Sequence, residues 1–127
     1  MSKPLVHARN SAAKFGGTAD DYLAIHDKMD STKMAHADVS HRCVFHSSLG
    51  VFLIEELFGR TLVNSDGNEV SVREVAEQHV VEDLGFIPSL SDWMHEMTIQ
   101  PWMIGQRNGV TSNVEHTERE GQIDGAI

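Results

Sequence analysis

Between Gly50 and Phe58 the chain is apolar on almost every side. Val51, Phe52, Leu53, Ile54, Leu57 and Phe58 are interrupted only by Glu55 and Glu56. A helix with that pattern cannot be a surface cover and must be surrounded by the rest of the chain. The spacing predicts one helix from about Thr32 to Phe58, about 40 Å long at 1.5 Å per residue. Gly50 is its expected bend and Gly59 its stop. Thr18 with Asp21 predicts the start of a preceding helix, whose inner face carries Tyr22, Leu23, His26 and Met29. Thr61–Asn64 and Glu69–Val70 flank Ser65-Asp66-Gly67-Asn68, the pattern of a short hairpin. Ser71 and Glu74 form a capping box that opens a helix over about Val72 to Leu84, closed by Gly85. Ser89 and Asp92, just after Pro88, open a short helix to about Met97, and Pro101 blocks its continuation. Trp93 and Trp102 are the expected anchors there. The expected architecture is mainly α: a compact helical domain around a long central helix, with one short β-hairpin.

The 127 residues fit one such domain. Residues 1–17 read as an irregular N-terminal arm, 18–105 as the helical domain, and 106–127 as a polar tail that orders only on a partner. Formal net charge is −9, from 19 acidic and 10 basic side chains. That field repels phosphate backbones, so neither nucleic acid nor an anionic membrane is an expected partner. Cys43 is the single cysteine, which rules out a disulfide framework within the chain. The start, Met1-Ser2-Lys3-Pro4-Leu5, lacks the apolar run of a signal peptide, and a cytoplasmic setting is expected. A long apolar helix in so small a domain is hard to cover from one chain. A homo-oligomer is therefore expected, which light scattering would contradict by giving the 14.1 kDa monomer mass.

Eight histidines is a high count for this length. Five of them, His26, His36, His41, His46 and His79, fall in predicted helices. On the long helix, His41 shares a face with Met34, Asp38, Phe45, Ser48, Phe52 and Glu55. His46 faces Leu49, Leu53 and Leu57, and His36 falls near Cys43 and Ile54. These three cannot meet on one ion by themselves, so a single site must draw on several helices. The best local motif is Glu77-Gln78-His79-Val80-Val81-Glu82-Asp83. It sets His79 three residues from Glu82 and four from Asp83, spacings used in helical carboxylate metal sites. His26 beside Asp27 offers a second pair. A site with His26, His41, His79 and Asp83 as ligands, and Asp27 and Glu82 as catalytic carboxylates, would be rich in N and O donors. It would suit one divalent ion such as zinc, manganese or iron. The plainer alternative is that each histidine is a hydrogen-bonded core residue. Cys43 has His46 three residues on, but a structural thiol is the simpler reading. Gly16-Gly17 lacks the Lys-Ser/Thr of a phosphate loop, and no serine sits in a nucleophile elbow. The methionines read as core filler.

Several strings carry a resemblance. They are Lys14-Phe15-Gly16-Gly17, Asp21-Tyr22-Leu23 with Ile25-His26-Asp27, and Ala37-Asp38 with His41-Arg42 and His46. Further along come Asn64-Ser65-Asp66-Gly67, Glu77-Gln78-His79-Val80, Glu82-Asp83-Leu84-Gly85, Ile87-Pro88 and Asp92-Trp93. In this order, over about residues 7 to 103, the chain resembles a family of short bacterial and phage proteins of unknown function. That resemblance implies a bacterial or viral setting and no particular activity. The His26-Asp27 dyad also resembles that of the His-Asp metal phosphohydrolases, by analogy only, since their outer histidine and distal aspartate have no identifiable match here. Two functional expectations stand. The first is an accessory or binding protein acting on a host protein or a small ligand. The second is a metal-dependent hydrolase of a phosphoester or nucleotide-like substrate.

Overall fold

The computed structural model describes residues 3–35 and 39–105. The chain divides into two compact units, Met1–Met94 and His95–Ile127. The first unit is mainly helical. Its helices are α1 (Pro4–Phe15), α2 (Leu23–Asp30), α3 (Arg42–Phe45), α4 (Ser48–Phe58) and α5 (Val72–Leu84), with α6 (Leu90–His95) reaching its end. Strands β1 (Thr61–Val63) and β2 (Glu69–Ser71) form one antiparallel hairpin, with Leu62 opposite Val70. Within the second unit, Pro101–Ile104 makes a 3-10 turn.

Three expectations are corrected. The N-terminal stretch is no irregular arm, because Pro4 takes the first position of a twelve-residue helix. Its fully buried residues are His7, Ala8 and Ser11, and with Phe15 as the one large apolar group packed on the core, the helix is hidden from a hydropathy reading. The long helix from Thr32 to Phe58 does not form. After a 3-10 turn over Ser31–Met34, the chain re-enters helix at Arg42 and leaves it at His46, whose ψ is 54°. Ser47 is extended, and its hydroxyl caps α4 by accepting from Gly50 N at 3.1 Å. The carbonyl freed at His46 accepts from Trp93 Nε1 at 3.0 Å, and Ser48 N donates to Pro88 O at 2.8 Å. Gly50 is therefore not a bend but a close approach: a Cβ there would collide with the backbone of Phe45.

The break changes which apolar residues are inside. Gly50, Val51 and Ile54 of α4 are buried, while Phe52 is 47% exposed and Leu57 60%. Met34 lies outside at 92%, and Trp102 is no anchor at 70%. Phe52→Ala should thus change the unfolding free energy by less than about 1.5 kcal/mol, not the 3–5 of a large core truncation. Urea denaturation checks this, and a loss above 3 kcal/mol would put Phe52 in an interface. His36, Asp38 and the 106–127 tail lie outside the described residues.

Other elements follow their sequence signals. Ser71 Oγ accepts from Glu74 N, and Gly85 ends α5 in the left-handed region at φ 86°. Ser89 and Asp92 cap α6 reciprocally, at 2.8 and 3.0 Å. The Lys14–Gly17 and Asn64–Gly67 strings meet in space. Buried Asn64 donates to Phe15 O and Tyr22 Oη, and its Oδ1 accepts from the amides of Asp66 and Asn68. Asp21 takes the amides of Thr18 and Ser65. This clamp ties the hairpin turn to the end of α1, and every partner in it is satisfied, so it reads as structural.

Candidate metal centre

The core is unusual in being half polar. Among the described residues eleven apolar side chains are buried, and so are eleven polar ones. The apolar set includes Ile25 and Met29 of α2, Val51 and Ile54 of α4, and Val72, Val75, Ala76 and Val80 of α5. The polar set occupies equivalent helical positions. On α5 the inward stripe runs 72, 75, 76, 79, 80, so His79 and then Asp83 continue it. On α2 the stripe 22, 25, 26, 29, 30 carries His26 and Asp30, and on α1 it carries His7 and Ser11. Three helices therefore turn polar groups onto one interior ledge. Buried polar groups must find partners, and here they find each other.

Four side chains converge. Each of Asp30, His46, His79 and Asp83 offers one atom, and all four atoms lie within 4.8 Å of one another. His46 Nε2 is 2.9 Å from Asp83 Oδ2 and 3.7 Å from Asp30 Oδ1. His79 Nε2 is 3.2 Å from Asp30 Oδ1 and 3.3 Å from Asp83 Oδ2. Side-chain exposure is 3% or less for all four. A buried cluster of this kind could hold a metal ion.

Behind the cluster runs a hydrogen-bond chain whose proton positions follow from its ends. Gln78 Nε2 faces two acceptors, Glu82 Oε2 at 2.8 Å and His7 O at 3.1 Å. The amide is therefore oriented, and its Oε1 must accept from Ser11 Oγ at 2.5 Å. Having given its proton to an oxygen, Ser11 Oγ accepts from His26 Nε2 at 2.8 Å. Burial, then the neighbouring His79 and His7, push the His26 imidazole down to about 3, so it is neutral. Its Nδ1 is then an acceptor and takes the proton on His79 Nδ1 at 2.8 Å. His79 Nε2 is left to face Asp30 Oδ1 at 3.2 Å and Asp83 Oδ2 at 3.3 Å.

The flanks complete the electrostatics. His7 Nδ1 pairs with Glu82 Oε1 at 2.7 Å, and its Nε2 stands 3.2 Å from Asp83 Oδ1 without hydrogen-bond alignment. Burial pulls the His7 imidazole down, but its two carboxylate neighbours outweigh that and raise it. Burial opposes ionisation of Asp83, yet His46, His7 and His79 together hold it far below the usual carboxylate range. Asp30 is lowered in the same way, against its burial, chiefly by His79. His46 is lowered by burial, which its bond to Asp83 only partly offsets. Arg42 Nη2 lies 3.8 Å from Asp83 Oδ2.

Of the residues singled out by sequence, His79 and Asp83 stand in the converging quartet. His26 lies one layer behind, on His79 Nδ1. Buried His41 sits beside His46, ring centroids 6.4 Å apart, and is not one of the four. Glu82 holds His7 and Gln78 at the rim. Asp27 is exposed on the outer face of α2. Asp30, His46, His7 and Arg42 escaped the sequence reading. Asp30 lies four residues beyond His26 on the same inward stripe, a spacing that points to it. His46 was assigned a face of a helix that does not exist.

A family model matches residues 2–103, that of a domain of unknown function, DUF6915. The chain belongs to this family. The match covers α1 through most of the Pro101–Ile104 turn, and so every residue of the DUF6915 cluster described above. No curated protein and no solved structure matches the chain. Among the described residues no helix is long and apolar enough to cross a membrane.

Proposed function

We propose that this DUF6915 chain binds one divalent metal ion through Asp30, His46, His79 and Asp83, and acts as a metal-dependent hydrolase. One observation carries the metal. Asp30, His46, His79 and Asp83 turn one donor atom each toward a common point, all within 4.8 Å of one another, while His79 Nδ1 is engaged from behind by His26. Two buried carboxylates this close repel unless positive charge lies between them, and a single cation serves all four converging atoms at once. With bonds of about 2.0–2.2 Å, neighbouring ligand atoms stand roughly 3.0–3.5 Å apart, whether four or six atoms surround the ion. The four nitrogen–oxygen separations run from 2.9 to 3.7 Å. Imidazole and carboxylate donors suit zinc, manganese or iron.

Held by these four ligands with a fifth or sixth position open, as manganese and iron permit, an ion would supply a Lewis acid and an activated water for hydrolysis. The chain's own groups do the rest. Ser11, Gln78 and His26 orient His79, as outer-shell partners of a ligand do. Asp30 Oδ2, buried and without a hydrogen-bond partner, is the oxygen available to take a proton from water. On the resemblance alone, we place the protein in a bacterial or phage-infected cytoplasm.

The test is a thermal melt of protein stripped by chelator, then given zinc or manganese. At a thousand times the dissociation constant, the ion should add about 4 kcal/mol to the unfolding free energy. A melting temperature that ignores both chelator and added ion overturns the proposal. It would leave the histidines as a hydrogen-bonded core and the accessory-protein reading in place.

A further inference from the structure

Arg42 is the one charged group of the cluster not yet given a role. It opens α3, its side chain is 11% exposed, and its Nε is buried with no hydrogen-bond partner. Asp83, only 3.8 Å from its Nη2, is its counter-charge in the metal-free protein. A divalent ion held by Asp30 and Asp83 would neutralise both carboxylates. Among the described residues Arg42 has no other carboxylate partner, so the permanently charged guanidinium would then be a nearly buried cation whose Nε–H is unpaired. An uncompensated buried charge is costly, and an anion relieves it. Arg42, at 11%, is more exposed than any of the four converging side chains, so an anion arriving from solvent meets it before the ion.

We propose that Arg42 and the metal centre together form a phosphoryl-binding site, and that the substrate is a phosphomonoester. This rests on the metal reading above. A phosphoryl group has enough oxygens to place one at the ion while two take the Arg42 fork. A carboxylate has only two and cannot do both as well. The site therefore discriminates by oxygen count as well as by charge.

Calorimetric titration of the full chain with manganese, with and without inorganic phosphate at matched ionic strength, tests this. Phosphate should tighten manganese binding at least fivefold, within the usual range of coupling between sites. Acetate at the same concentration should leave it unchanged. In Arg42→Lys and Arg42→Gln manganese should still bind, but the phosphate effect should fall below twofold. If Arg42→Gln does not fold, Arg42→Lys carries the comparison, because it keeps the charge and loses the fork. Equal manganese affinity with and without phosphate in the unmodified chain overturns the inference and leaves the metal centre standing. An undiminished phosphate effect in the Arg42 variants overturns it too, by placing the anion on the ion alone. If manganese does not bind at all, the metal reading falls and takes this one with it.

Discussion

Asp83→Ala is expected to cost about 3–5 kcal/mol of unfolding free energy in metal-free buffer, enough to unfold a marginal domain. The reason lies in how many groups depend on one buried carboxylate. His7, Arg42, His46 and His79 all lie within 4 Å of it. Removing it leaves Arg42, 11% exposed at its side chain, with no counter-ion among the described residues, and leaves His46 Nε2 without its 2.9 Å partner. Working without metal separates this loss from any loss of ion binding. Urea denaturation of both proteins in chelator reads it directly. A difference under 1 kcal/mol would mean that the cluster relaxes freely and that its geometry is not held by Asp83.

The second large effect is with pH. Stripped of metal, the protein should lose stability as pH falls from about 6.5 toward about 3. His26 is held at about 3 against an ordinary 6.5, so across that interval the unfolded chain binds a proton that the folded chain refuses. Stability from this residue is complete above 6.5 and drains away below it, an effect on the order of 4 kcal/mol. His46 is lowered as well and acts in the same direction. Asp30 and Asp83 are also lowered, so their contributions are present above the ordinary 3.8 and are lost beneath it. His7 is raised and opposes the trend, since its contribution is present in acid and fades as pH rises. Two histidines against one leave a net loss in acid. Melting temperatures from pH 7.5 to 4.5 check the slope, and a flat profile would mean that His26 is not enclosed as described.

Much of the fold was legible because it is written locally. Caps at Ser71 and Ser89, the Asp66-Gly67 turn and the Gly85 stop all depend on residues a few positions apart, and α5 spans Val72–Leu84 as its box implies. The long-helix expectation failed because apolar periodicity passes straight through His46 and Ser47. What interrupts the helix there is tertiary: Trp93 and Pro88, more than forty residues away, take up the freed backbone groups. The centre was legible only where one helix carries two of its members, His79 and Asp83. Asp30 and His46 come from separate elements, and no spacing in sequence brings them together. A sharper signal was available, though. His7, Ser11, His26, Asp30, His79 and Asp83 all fall on inward stripes, and polar residues repeated at core positions of several helices point to a shared interior site.

The central claim is that the His–Asp cluster is built around an ion. Elemental analysis of protein produced without a metal-binding tag, and never exposed to chelator, tests it most directly. The account predicts close to one zinc, manganese or iron per chain, and loss of that ion in His79→Ala and in His46→Ala. Metal at background level in the unmodified protein, or metal that persists in both variants, would contradict it.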